Sequence, residues 1–157
     1  MNKGAKFSEC GNYRYSLWRI WDEDKKVLTF IGLNPSTANE EKDDPTIRRI
    51  IQFAKDNGYG GCRMLNLFTL ISSDPYRLLV SRNTFKNADY WLTVLGTHPV
   101  VFAWGSFKEA KFRAKEVIKM FPEALCLGKN KDGSPKHPLY LKANTPLSQY
   151  SIPITQY

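Results

Sequence analysis

Apolar positions along the chain fall into short dense runs separated by polar loops, and the runs follow two rhythms. Residues 13–21 (YRYSLWRIW) alternate polar and apolar side chains, as a strand with one buried face does. After the polar turn DEDKK the chain returns as VLTFIGL, residues 27–33. The two runs predict a β-hairpin. Its second strand is almost wholly apolar, which fits a strand covered on both faces. Further strands are expected at residues 62–68 (CRMLNLF), 100–104 (VVFAW) and 124–128 (ALCLG). Between them the period lengthens. Ile47, Ile50, Ile51 and Ala54 follow Asp44 and Pro45, a side chain that caps a helix and a residue suited to its first turn, and Gly58 stands just past the end. A second helix is expected over residues 83–95. A third should run from Ser106 to about Phe121, opened by a capping box between Ser106 and Glu109, with Phe112, Val117, Ile118 and Phe121 on its apolar side.

Strands that alternate with helices in this way predict an α/β protein with right-handed crossovers. The expected architecture is a three-layer α/β/α sandwich whose mainly parallel sheet has about four strands plus an N-terminal antiparallel strand. At 157 residues, without a low-complexity tract or linker, the chain reads as a single domain, 1–157.

Composition narrows the function classes. With 42% hydrophobic and 24% charged residues the chain is expected to fold and not to be disordered. No run approaches the about 18 apolar residues needed to span a bilayer, and the N-terminus MNKGAKFSECG lacks the apolar stretch of a secretory signal. A cytoplasmic location without a membrane partner is therefore expected. Cys10, Cys62 and Cys126 are widely spaced, and His98 and His137 are the only histidines, so neither a disulfide framework, a metal site nor a cofactor is expected. The net charge of +8 fits a polyanion such as nucleic acid, or an anionic surface, as partner without choosing between them; nucleic acid is the partner expected, and oligomeric state is open.

Parallel α/β sheets bind ligands at the carboxyl ends of their strands, which singles out the loops after residues 33, 68, 104 and 128. The first reads GLNPSTA: Gly32 allows close backbone approach, Asn34 presents an amide, and Pro35 fixes the turn before Ser36. An Asn-Pro-Ser turn would equally explain it. Asn66 interrupts an apolar run, and its amide needs partners, either backbone groups or a ligand such as the edge of a base. The last loop, GKNKDGSPKHPLYL, holds three lysines and places His137 beside Pro138, just before Leu139, Tyr140 and Leu141. His98 precedes a strand, at the opposite end of the sheet, and reads as structural.

Together these positions resemble the uracil-DNA glycosylase superfamily. GLNP is similar to the GINP motif of its mismatch-specific uracil/thymine branch, with Ser36 standing where that branch has Gly. Asn66 ends its apolar strand as the superfamily's base-reading Asn does, and HPLYL is similar to the last motif, HPSPL. The strings GLNPSTANEEKDDPTIRR and DGSPKHPLYL also resemble a bacterial and phage family, domain of unknown function 1643.

The glycosylase resemblance implies that Asn34 orients a water, His137 donates a hydrogen bond to the departing base, Asn66 reads the base, and Leu141 enters the duplex. Gly32, Pro35 and Ser36 would shape the pocket. Phe68, two residues past Asn66, would stack on the base, with Trp104, Tyr140 and Tyr13 as other aromatics available. Arg48, Arg49, Lys129, Lys131, Lys136 and Lys142 flank the site loops and would meet phosphates. Asn34 cannot accept a proton, so a carboxylate is needed. Asp43 is the candidate, since Asp44 is better explained as the helix cap. The expected function is a DNA-directed N-glycosylase-like protein removing or recognising a uracil, thymine or modified pyrimidine. The alternatives are a non-catalytic nucleic-acid-binding module and an enzyme acting on free nucleotides.

Overall fold

The computed structural model describes residues 1–151. It holds strands β1 (Asn2–Phe7), β2 (Arg14–Ile20) and β3 (Val27–Gly32), helix α1 (Pro45–Asp56) and strand β4 (Gly61–Asn66). Helices α2 (Arg77–Val80) and α3 (Ala88–Leu95), strand β5 (Val100–Phe102) and helix α4 (Lys111–Met120) follow, then the two-residue strands β6 (Leu125–Cys126) and β7 (Ser148–Gln149).

All seven strands join one mixed sheet in the order β1-β2-β4-β3-β5-β6-β7. The protein is α/β, but the expectation of a mainly parallel sheet is corrected: β1, β2 and β7 pair antiparallel, so about half the ladders are antiparallel. The parallel ladders join β4 to β3, β3 to β5 and β5 to β6.

The expected hairpin between the second and third strands does not form. β4 inserts between them, pairing antiparallel with β2 (Leu17 opposite Met64) and parallel with β3 (Phe30 opposite Met64). The apolar composition of β3 is the reason: a strand buried on both faces belongs at the sheet's centre, between two parallel neighbours. The hairpin is instead β1 with β2.

Alternation along the strands builds two cores. Leu28, Phe30, Met64 and Val101 face Ile47, Ile50 and Phe53 of α1. Ile31, Leu65, Val100 and Phe102 face the other way, toward Leu92 of α3 and Val117 of α4. The α1 reading holds in detail: Asp44 caps the helix by accepting from the Ile47 amide at 2.8 Å, Pro45 opens it, and Gly58 follows with φ +80°.

Two helix starts differ from expectation. Asn83 and Asn87 adopt left-handed backbone (φ 52° and 58°), so the second helix begins only at Ala88. At the third, a 3-10 turn over Lys108–Ala110 replaces the capping box. Arg113, Ala114 and Val117 form its buried side, leaving Phe112 exposed. Among the described residues no helix is long and apolar enough to cross a membrane.

Candidate functional site

The carboxyl ends of β3 and β4 and the loop after β5 open on a cavity of about 320 Å³. Gly32, Asn34 and Ser36 come to it from the first loop, Asn66 from the end of β4, and His137 from the last loop. Segments far apart in sequence thus share one wall.

Each side chain is held differently. Asn34 spends its amide nitrogen on the fold: Nδ2 donates to the carbonyls of Ser72 (2.9 Å), Pro35 (3.1 Å) and Leu70 (3.4 Å). The Pro35 carbonyl also accepts from the Ser72 amide, so the first loop and the segment after β4 are tied together. Pro35, expected to shape the pocket, is buried and does not line the cavity. Only the Asn34 oxygen remains for a ligand or water.

Asn66 is the opposite case. It is buried, yet its Oδ1 has no hydrogen-bond partner among the described residues. A buried acceptor left unpaired costs roughly 1–3 kcal/mol, so the arrangement favours a donor arriving from outside. Gly32 keeps that oxygen in place, because a Cβ there would lie 2.9 Å from it and 2.6 Å from the Met64 methyl.

His137 caps the 3-10 turn Pro138–Tyr140, its Nδ1 accepting from the Leu139 amide at 3.1 Å. That bond fixes the neutral tautomer with Nε2 carrying the proton, a donor for a carbonyl. Burial lowers the imidazole pKa from 6.5, with Asp44 opposing the shift, so the ring is neutral at pH 7.

Two charged residues complete the wall, and the sequence reading did not place them there. Asp44, the α1 cap, lines the cavity and supplies its carboxylate. Arg14 lines it too, through an irregularity in β2. Lys6 pairs with Ser16 and Phe7 with Arg14, which leaves Tyr15 as an extra residue. Such a bulge re-aims side chains. Tyr15 stacks on Trp91 of α3, while Arg14 turns to the α1 side and donates through Nη1 to the Ala38 carbonyl at 3.2 Å. An alternating polar-apolar pattern gives no sign of a bulge, so neither arginine nor its direction was readable.

Several expected site residues lie elsewhere. Asp43 is not at the cavity: its carboxylate pairs at 2.8 Å with the buried guanidinium of Arg19. Phe68 is buried in the opposite core, edge-on to Phe85, and the aromatics at the cavity are Trp104 and Tyr140. Leu141 packs against the α1-side core, whereas Tyr140, beside the His137 ring at 5.7 Å, is 84% exposed. Of the six basic candidates, Arg48, Lys129, Lys131 and Lys142 are exposed and Arg49 and Lys136 half-buried; none lines the cavity. Arg48 donates to the Asp43 carbonyl, and Lys129 lies over the Tyr150 ring at 4.7 Å.

The fold and site define an α/β protein with a polar cavity at the end of its sheet. A family model described as protein of unknown function (DUF1643) matches residues 14–139, and the chain belongs to that family. The matched span begins at Arg14 and contains Asn34, Asn66 and His137, but stops short of Leu141. No curated protein and no solved structure matches the chain.

Proposed function

We infer that the cavity is a nucleobase pocket and that the protein is a DNA-directed N-glycosylase-like protein acting on or recognising a uracil-, thymine- or modified-pyrimidine-type base. The observation that carries this reading is the unpaired, buried oxygen of Asn66 sharing one cavity with the His137 imidazole, whose Nε2 bears a proton. A pyrimidine ring offers N–H donors and carbonyl acceptors on adjacent edges. Asn66 would accept from a ring N–H and His137 would donate to a carbonyl, an arrangement that reads a base by its edge. A volume of about 320 Å³ accommodates a base with part of its sugar.

In the catalytic form of this reading, a water oxygen attacks the anomeric carbon as the bond to the ring nitrogen breaks. The electron pair leaves with the base, and charge developing on its carbonyl is met by the His137 donor. The water proton needs an acceptor. Asp44 fits that role, in place of Asp43, because it lines the cavity with Asn34, whose free oxygen can orient the water. Tyr140, exposed at the rim, replaces Leu141 as the side chain available to fill the gap left by an extruded base. Exposed Arg48, Lys129, Lys131 and Lys142 would meet the strand's phosphates.

Duplexes bearing uracil, mismatched thymine or modified pyrimidines, incubated with the protein and probed for abasic sites, test the activity. Cleavage that falls at least ~100-fold in His137→Ala and Asp44→Asn is expected. Intact substrates throughout would remove the enzymatic reading. Salt-dependent strand binding that survives those substitutions would then favour a non-catalytic binding module.

A further inference from the structure

Among the described residues three arginines are buried: Arg14 at 3% exposure and Arg19 and Arg113 at 0%. A buried guanidinium needs a counter-charge, and two of them have one. Arg19 pairs with Asp43 at 2.8 Å and donates to the carbonyls of Asn39, Trp18, Lys42 and Gly4. Arg113 pairs with Asp89 at 2.6 Å and Glu116 at 3.4 Å. Arg14 has no carboxylate partner among the described residues. Its one hydrogen bond runs from Nη1 to the Ala38 carbonyl, and its buried Nε is without a partner.

Of the three, the arginine with no ion pair among the described residues is also the one that lines the cavity. A guanidinium offers an end-on face and a side-on face, the latter made by Nε and Nη2. With Nη1 committed to Ala38 and Nε without a partner, the side-on face is the one that makes no hydrogen bond to the described residues. That face matches a pair of phosphate oxygens. Among the described residues Asp44 is the one acidic residue on the same wall, and its carboxylate already accepts from the Ile47 amide at the positive end of α1. Ser36 and Ser73, with hydroxyls 3.3 Å apart, line the cavity as further donors.

We propose that Arg14 is the anion-binding residue of this cavity and that the ligand is a phosphate-bearing nucleotide unit, its phosphate oxygens on the side-on face of Arg14 and its base between Asn66 and His137. This rests on the nucleobase reading for the base half only. The phosphate half stands on Arg14 alone. Burial, opposed by the charge of Asp44 and reinforced by that of Arg19, lowers the Arg14 pKa to about 10, which leaves the group charged at neutral pH.

The Arg14 Nε–H resonance of the ¹⁵N-labelled wild-type protein reports directly on the site. Inorganic phosphate is expected to move it saturably, and dUMP to bind at least ~10-fold more tightly than deoxyuridine, because a charge-assisted pair is gained. Arg14→Lys keeps the charge but loses the fork, and should shrink that preference to less than ~2-fold; Asn66→Ala should weaken both ligands alike. A stationary Arg14 resonance, equal binding of dUMP and deoxyuridine by the wild type, or an unchanged preference in folded Arg14→Lys would overturn the proposal. Phosphate that moves the resonance while Asn66→Ala alters neither ligand would keep the anion site and remove the base reading. A short uracil-containing oligonucleotide that displaces phosphate assigns the site to a strand, and displacement by dUMP alone assigns it to a free nucleotide.

Discussion

Arg19 and Arg14 sit five residues apart on the same strand, both buried, and the protein treats them in opposite ways. Around Arg19 the loop before α1 supplies a carboxylate and two carbonyl oxygens, so the guanidinium ties that loop to the sheet. Around Arg14 the same loop supplies one carbonyl, and a cavity takes the place of the carboxylate. The first corner is satisfied from within and serves the fold. The second is left unsatisfied among the described residues and lines the same cavity as Asn66, whose buried oxygen also lacks a partner among them, and two such groups on one cavity mark a place completed by a ligand.

The largest expected effect separates the two corners by stability. Asp43→Ala strands a buried charge and should cost about 3 kcal/mol in chemical denaturation, whereas Asp44→Ala, which removes a helix cap and a charge near Arg14 but no ion pair to it, should cost about 1 kcal/mol. Equal losses would mean that Asp44 neutralises Arg14 after all. A second pair of substitutions acts on the cavity. Gly32→Ala drives its new methyl against the side-chain ends of Met64 and Asn66, and should cost about 1 kcal/mol of stability while displacing the Asn66 amide and weakening ligand binding. Asn66→Leu removes an unpaired buried amide, so its stability should match or exceed the wild type while binding is lost; a large destabilisation would show that the amide is satisfied in the folded protein.

The smallest effect is a slope with pH. The folded-state pKa of His137 lies below its ordinary 6.5, so between those two values the unfolded chain binds more protons. Stability should be whole above pH 6.5 and decline as pH falls toward the lowered value, where protonated Nδ1 can no longer accept from Leu139. Denaturation midpoints measured across that range should show the decline in the wild type and lose it in His137→Gln.

Much of this was legible because it depends on local rules. The N-cap at Asp44, the stop at Gly58 and the apolar runs of β3 and β4 follow from side-chain type and spacing, and the two strands carry Asn34 and Asn66 to one cavity. What escaped depends on contacts between distant residues. Which strand lies beside β2 is settled by competition for the sheet's centre, and the polar run at residues 2–7 gives little hint that it becomes an edge strand. The bulge at Tyr15 is set by pairing with β1, so the inward turn of Arg14 has no local signature. Asp43 and Asp44 are neighbours of the same type, and which one faces the cavity depends on Arg19 holding Asp43 as well as on Asp44 capping α1.

The claim on which the functional account turns is that a pyrimidine occupies the space between Asn66 and His137. A crystal grown with saturating free uracil tests it: the account requires the ring in that space, with a ring N–H directed at the Asn66 oxygen and a carbonyl at His137 Nε2. Uracil bound at another surface, or this cavity left without it at saturation, would contradict the account.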